Sequence, residues 1–414
     1  MRTRLPPEEP GTSLFSQHLR GVPDGTSRLP STQRRPLWTG AGGSISPVGV
    51  GGVAEAIGTG EPAEVLPEER REQEHLGLVV VKHEPFNAET PPRALTLGRT
   101  PTSAFYVRSN YSEPELPGAA HRIHVEGAVE AAFSLEVGEL ARLTRRSLTV
   151  TLECAGNGRT TMSPLPEGEP WQQGALGTAT WTGVPLAEVL ARARLRREVV
   201  EILVEGADGK GGKRFARSLP LSKAVHPDTL LALEMNGAPL PRAHGAPVRL
   251  LVPGWYGMAS VKWVSRIEAL TEPFDGYYQR ERYIYDTGAG RQPEPVTRMR
   301  VKSLITGPAE GERVKPGPVV VQGMAWSGDR RVVQVEVAVD GGENWKPATL
   351  LEVPRPSSWV RWAFTWDDAK PGRHTLRARA TDEAGETQPE VAQWNRLGYG
   401  NNAVQVRVVD VDAG

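Results

Sequence analysis

"SLTVTLECAGNGR", residues 147–159, decides how this chain is read. From Ser147 to Glu153, β-branched and apolar residues alternate, the pattern of a half-buried strand. The strand stops at Cys154, the single cysteine among 414 residues. Gly156 and Gly158 follow at once, and each allows positive φ or close approach of the backbone to a bulky neighbour. A thiol on the loop that ends a strand sits where ligand sites commonly form. Arg159 would favour the thiolate, the form that binds a metal or attacks an electrophile. On the residues alone two readings stay open: a functional thiol, or the small buried hydrophobe that most lone cysteines are. A cysteine protease would also need a partner histidine; His244 is available, but nothing marks it as a base.

Composition narrows the classes. Lys plus Arg number 49, as do Asp plus Glu, so no basic field exists for nucleic acid or an acidic membrane surface. A single cysteine excludes an internal disulfide and every multi-thiolate zinc, iron–sulfur or c-haem site. No stretch approaches 18 apolar residues, so no membrane span is expected. The 45 glycines and 36 prolines predict many turns and few long helices. Residues 1–66 are rich in Pro, Gly, Ser and Arg without a steady period and read as a flexible tail. Within them Arg34-Arg35 precedes a mild apolar stretch, Ala41 to Ala56, a weak likeness to a twin-arginine export signal. Pro36, Pro47 and the long polar lead favour a disordered arm. A cytoplasmic location is therefore expected, with the periplasm as the alternative.

Ordered sequence begins near "LGLVVVKHEPFNAETP" (76–91). "GVPLAEVLARARL" (183–195) predicts a helix with Pro185 in its first turn and Leu186, Val189 and Leu190 on one apolar face. "VVEILVEG", "PVRLLVPG" and "ASVKWVSRIEAL" (259–270) read as strands. His121 and His124 fall on opposite strand faces and hold no metal spacing. These elements predict a mixed α+β domain over 67–292, with 287–300 as linker. Beyond it come five strand-like runs with turn punctuation and no helix. Val333, Val335, Val337 and Val339 alternate before Asp340-Gly341-Gly342, and Trp362, Phe364 and Trp366 alternate in the same way. Residues 293–414 therefore predict an all-β sandwich.

"ECAGNGR" resembles the metal-ligand loop of the sulfite oxidase family of molybdopterin enzymes. Further blocks resemble the same family in order: "FYVRSN" (105–110), "WQQGALGTATWTGVPLAEVL" (171–190), "EMNGAPLPRAHGAPVRLLVPGWYGMASVKW" (234–263), "GYYQRERY" (276–283), "AWSGDRRVVQVEVAVDGGENW" (325–345) and "QWNRLGYGNNAV" (393–404). The resemblance runs from about residue 76 to the end. It implies a molybdopterin-binding catalytic domain of sulfite oxidase type, followed by an immunoglobulin-like dimerisation domain.

The resemblance also implies roles. Cys154 would be the one protein ligand of molybdenum, a soft thiolate suited to that metal. The cofactor, Mo-molybdopterin, would be held by Tyr106, Val107, Arg108, Ser109, Asn110, Asp208, His244, Arg249, Ser260, Val261 and Lys262. Arg249 and Lys262 would meet its phosphate. On residues alone, Asp208 in "GADGKGG" reads equally well as a turn residue. The substrate side would be Arg108, Arg159, Trp171 and Tyr283, with Arg396 as a further cation. The implied reaction is oxygen-atom transfer to a small oxyanion such as sulfite. Nothing resembles a haem module, so electrons would pass to a separate acceptor such as a cytochrome. A homodimer is implied through the C-terminal domain.

Two positions depart from the family pattern. The family's Asn-His is Ser109-Asn110 here. Its C-terminal substrate arginine aligns with Leu397, and Arg396 stands one residue earlier, a shift that can reverse a side chain's direction. Two rivals follow: an S- or N-oxide reductase on the same site, and a metal-free immunoglobulin-like binding protein.

Overall fold

The computed structural model describes residues 77–413, apart from 289, 291 and 343. The expected tail over 1–66, with Arg34 and Arg35, lies outside the described residues. Strands dominate, and no described helix is long and apolar enough to cross a membrane.

Two five-stranded sheets build the N-terminal half. One runs Ala238–Pro239, Leu230–Met235, Leu176–Pro185, Arg146–Glu153, with Arg249–Leu251 also pairing to Leu230–Met235. The other runs Phe133–Glu136, Arg122–Gly127, Val264–Leu270, Glu201–Lys210, Lys213–Pro220. Its middle pair, Arg122–Gly127 with Val264–Leu270, is parallel and joins segments far apart in sequence. The predicted helix forms over Leu186–Ala193. It starts later than expected because Pro185 still pairs with Leu230 as the last residue of a strand. Its apolar face is as predicted: Leu186, Val189 and Leu190 are buried, each worth ~1.5–3 kcal/mol.

The 259–270 segment departs more. Only Val264–Leu270 is strand, and Gly257–Ala259 is a 3-10 turn. Trp263 sits at φ +52°, a left-handed kink that strand geometry does not admit. That kink turns Ser260 to Trp263 inward, away from the sheet. His121 is buried with a ring nitrogen 2.9 Å from the Val264 carbonyl, while His124 is exposed.

The C-terminal half is two sheets facing one core. Lys302–Gly307, Gly317–Trp326, Val360–Ala369 and Thr349–Leu350 form the first. Arg313–Val314, Gln405–Val411, Gly372–Asp382, Val332–Ala338 and Lys346–Pro347 form the second. Val321, Trp362, Leu376, Ala378 and Val409 are buried between them. The valine alternation does not hold throughout. The register slips between Val332 and Gln334, so Val332 turns inward and Val333 is left exposed. The N-terminal core does not stop at the boundary: Leu304, Met324, Trp326, Leu397 and Tyr399 belong to the same buried cluster as Val184 and Val261.

Candidate active site

Cys154 is placed by the strand before it. Arg146–Glu153 pairs with Leu176–Pro185 to its last residue, Glu153 opposite Leu176. The chain then turns. Cys154 N–H donates to the Ala175 carbonyl at 2.8 Å, and Asn157 N–H donates back to the Cys154 carbonyl at 2.9 Å. The Asn157 side chain fixes the turn, donating to Glu153 Oε1 (3.0 Å) and accepting from Ala175 N–H (3.1 Å). The two glycines have separate causes. Gly158 sits at φ +82°. At Gly156 a Cβ would lie 2.4 Å from the Arg159 guanidinium.

Cys154 lines a pocket that opens to solvent, about 660 Å³ with that open space included. Tyr106, Arg108, Ser109 and Asn110 form one wall. Asp208 enters where the pairing of Glu201–Lys210 with Lys213–Pro220 slips between Glu205 and Gly209. It is buried, which the bland reading of a turn aspartate does not explain. His244 and Arg249 enter before and within Arg249–Leu251. Ser260 and Lys262 come from the segment that the Trp263 kink turns inward, and Tyr283 closes the side.

The polar contacts form a connected set. Arg108 donates to Asn110 Oδ1 (2.7 Å), to Asn87 Oδ1 (3.3 Å) and to the Ser109 carbonyl. Asn110 in turn donates to Tyr283 Oη at 3.2 Å. Lys262 Nζ donates to Ser109 Oγ (2.7 Å) and the Ala243 carbonyl (2.8 Å), 4.1 Å from the centre of the Trp263 ring. Arg249 donates to the carbonyls of His244 (3.1 Å) and Ser260 (3.0 Å). Ser109-Asn110 thus takes up Lys262 and Tyr283 with its own two side chains.

The charge balance is uneven. Among the described residues neither Arg108, Arg249 nor Lys262 has a carboxylate in ion-pair contact; neutral oxygens hold all three. Arg249 is buried and the other two are half-buried, and buried charge costs several kcal/mol per ion unless it is paired. Arg249 Nε and Asp208 Oδ1 are also buried without a partner. Unspent donors, unpaired cations and one free acceptor in a single cavity fit an anionic guest with many hydrogen-bonding groups. Burial pushes the Lys262 ammonium down to about 7, with Arg249 adding to the effect and Asp208 opposing it. Burial lifts the Asp208 carboxyl to about 6, against the pull of Lys262. His244 falls to about 3 through burial and the charges of Arg249 and Lys262, so it stays neutral. Burial raises the Cys154 thiol, and the nearby Arg108 charge opposes it. Among the described residues no three His, Cys, Asp or Glu side chains gather as a metal cage.

Not every expected residue reaches this pocket. Val107 and Val261 bury their side chains in the core and act through the backbone: Val107 pairs with Ala88, and the Val261 carbonyl accepts from Leu250 N–H at 2.7 Å. Arg159 is buried beneath the cysteine loop, donating to the carbonyls of Leu397 (2.9 and 3.1 Å) and Glu169 (2.5 Å). Trp171 packs in the same core cluster as Cys154, its indole N–H unpartnered. Arg396 is not brought to the site. Its side chain is 46% exposed and is held at the surface by Asp286 (3.0 Å) and Glu167 (3.3 Å). Phe105, Phe215 and Trp263 line the pocket without having been singled out. Trp263 lines the pocket while only 1% exposed, and the kink that places it there leaves no mark in the sequence.

Two family models divide the chain: "Oxidoreductase molybdopterin binding domain" matches 111–278, and "Mo-co oxidoreductase dimerisation domain" matches 294–410. Mouse mitochondrial sulfite oxidase is 37% identical over 81% of this chain. Chicken sulfite oxidase is 36% identical, the match covering 78% of this chain and 76% of its own length. The chain belongs to the sulfite oxidase family. The match spans 66% of the mouse protein's own length. Arabidopsis thaliana sulfite oxidase, 32% identical, is matched over 80% of this chain and 93% of its own. In structure, this sulfite oxidase family member is similar to the sulfane dehydrogenase SoxCD of Paracoccus pantotrophus, with a TM-score of 0.75 and 29% identity, covering 86% of this chain and 96% of that one.

Proposed function

We propose that this chain is a molybdenum-pterin oxidoreductase that oxidises sulfite, or a comparably compact sulfur oxyanion, by oxygen-atom transfer, passing the electrons to a separate acceptor such as a cytochrome. The observation that carries the proposal is the juxtaposition of Cys154 with three cations that lack a carboxylate partner, buried Arg249 and half-buried Arg108 and Lys262, in one pocket. Bound there, the molybdenum cofactor would supply the oxygen-atom and electron chemistry. The chain's residues do the rest. Cys154, as thiolate, would anchor the metal. Arg249 and Lys262 would neutralise the cofactor's phosphate, and Asp208 would accept from its N–H groups. Neutral His244 would add a hydrogen bond without adding charge. Arg108 and the Tyr283 hydroxyl, linked through Asn110, would hold an anionic substrate at the cysteine side of the pocket.

The chain's division near residue 293, the immunoglobulin-like character of the C-terminal sandwich and a homodimer through it complete the reading. The dimerisation-domain match over 294–410 supports the last of these, and two-fold symmetry is the commonest closed arrangement. The test is metal analysis together with turnover. Protein from a molybdenum-replete host should carry about one molybdenum per chain, as one anchoring thiolate requires. Cys154→Ser should keep the fold by circular dichroism and lose sulfite oxidation. Full activity in that variant would remove molybdenum from the mechanism. Faster turnover of a neutral sulfoxide than of sulfite by the unmutated protein would favour the reductase.

A further inference from the structure

The segment 395–402 reaches back from the C-terminal half and lies across the cysteine loop. Gly400 N–H donates to the Ala155 carbonyl at 2.8 Å, and Asn401 Nδ2 donates to the Gly158 carbonyl at 2.7 Å. Within the segment, Asn395 clamps the turn: its Oδ1 accepts from Tyr399 N–H (2.9 Å) and its Nδ2 donates to the Tyr399 carbonyl (2.8 Å). The clamp lays the Tyr399 ring against Tyr283, a residue of the pocket wall. That ring stacks on Tyr283 with centroids 5.3 Å apart and planes at 28°, and the Arg159 guanidinium lies 5.3 Å from its centre. The residue is 4% exposed.

The same segment could have delivered a cation here and does not. Leu397 is buried in the core, and Arg396 is turned outward onto Asp286 and Glu167. What faces Tyr283 is a phenol. Among the described residues no side chain hydrogen-bonds its hydroxyl, and the cations that bear on it are Arg282, Arg159 and Arg108. Burial holds that hydroxyl above the ordinary tyrosine range, so it remains a neutral O–H donor. A nearly buried donor among cations, with no acceptor of its own, has the surroundings of an anion contact.

We propose that Tyr399 is a specificity-determining residue: its hydroxyl donates to an oxygen of the bound sulfur oxyanion, giving the C-terminal half a neutral contact where a charged one would otherwise stand. The proposal rests on the reading of the site as one for a compact sulfur oxyanion. A neutral donor gains less from a second negative charge than a cation does. The site should therefore favour singly charged sulfur oxyanions over doubly charged ones, relative to a site with arginine at this place.

The experiment uses the molybdenum-loaded full chain. Sulfate binding is measured by calorimetry and sulfite turnover by acceptor reduction, for the unmutated protein, Tyr399→Phe and Tyr399→Arg. Phe keeps the stacked ring and removes only the donor. A hydrogen bond of about 1 kcal/mol predicts a roughly fivefold rise in sulfate Kd and sulfite KM, with kcat within about twofold. Tyr399→Arg should lower both constants and steepen their dependence on salt. Unchanged Kd and KM in Tyr399→Phe would overturn the proposal, as would a loss confined to kcat, which would make Tyr399 only a support for Tyr283. If the unmutated, loaded protein neither binds sulfate nor oxidises sulfite, the functional reading fails instead.

Discussion

Lys262 and Asp208 set the pH range in which the pocket can accept its guest. With no guest, burial leaves Lys262 titrating at about 7 and Asp208 at about 6. A bound phosphate favours the ammonium, so above pH 7 binding must take up a proton, and affinity falls by up to about tenfold per pH unit. Donors on a pterin favour the carboxylate, so below pH 6 binding must release a proton, and affinity falls again. Loading of apoprotein with molybdenum cofactor should therefore peak between about pH 6 and 7. Lys262→Arg should remove the alkaline limb, because a guanidinium does not titrate there. A flat loading profile from pH 6 to 9 in the unmutated protein would contradict this account. Arg159 shows a different kind of residue. Its guanidinium is spent on the carbonyls of Leu397 and Glu169, so its charge acts on Cys154 through space while its contacts hold the loop in place.

At the scale of elements, the strand that ends in Cys154 is tied to the strand Lys302–Gly307 by a buried ion pair. Glu153 accepts from Lys302 Nζ (3.3 Å), from the Trp326 indole (2.9 Å) and from Asn157 (3.0 Å). Both charged side chains are almost fully buried. Removing one partner from such a pair leaves an uncompensated charge, which costs about 3–5 kcal/mol. Lys302→Met should lose that much stability in denaturant unfolding, and the double variant Glu153→Gln/Lys302→Met should recover most of it. A Lys302→Met protein as stable as the parent would show that the pair carries no such weight. Nothing in "TLECAGNGR" reveals this pair, because its partner lies 149 residues away. What the sequence does reveal is local. The strand before Cys154, the helix face of Leu186, Val189 and Leu190, and most C-terminal strands follow from periodicity. The late start of that helix, the bulge at Val333 and the kink at Trp263 do not, since pairing partners and left-handed backbone decide them. The site was legible in the same partial way. Asp208, His244, Arg249 and Lys262, far apart in sequence, line one pocket with Cys154, whereas Arg396 is diverted by Asp286 and Glu167, carboxylates that no local pattern assigns to it.

For the whole molecule, the two halves differ in what they need from each other. The sandwich keeps its own core, with Trp362, Leu376 and Val409 enclosed between its two sheets. The N-terminal half keeps one buried cluster to itself, around Trp171 and Trp181, and shares the other. That shared core is completed by Leu304, Met324, Trp326, Leu397 and Tyr399, and the cysteine loop is held by Gly400, Asn401 and the Leu397 carbonyl. Cutting the chain near residue 293 would expose those apolar contacts, at roughly 25 cal/mol per Å² of surface returned to water, and would leave Glu153 buried without its cation. Residues 293–414 expressed alone should therefore give a soluble β protein with a cooperative melt. Residues 77–292 alone should aggregate, or show a non-cooperative transition with exposed apolar surface, and should not retain molybdenum. Adding the separately folded sandwich should restore some order to the N-terminal piece if the shared core is what it lacks. A cooperatively folded, metal-retaining 77–292 fragment would show that the catalytic half is self-sufficient, and that the C-terminal half serves assembly alone.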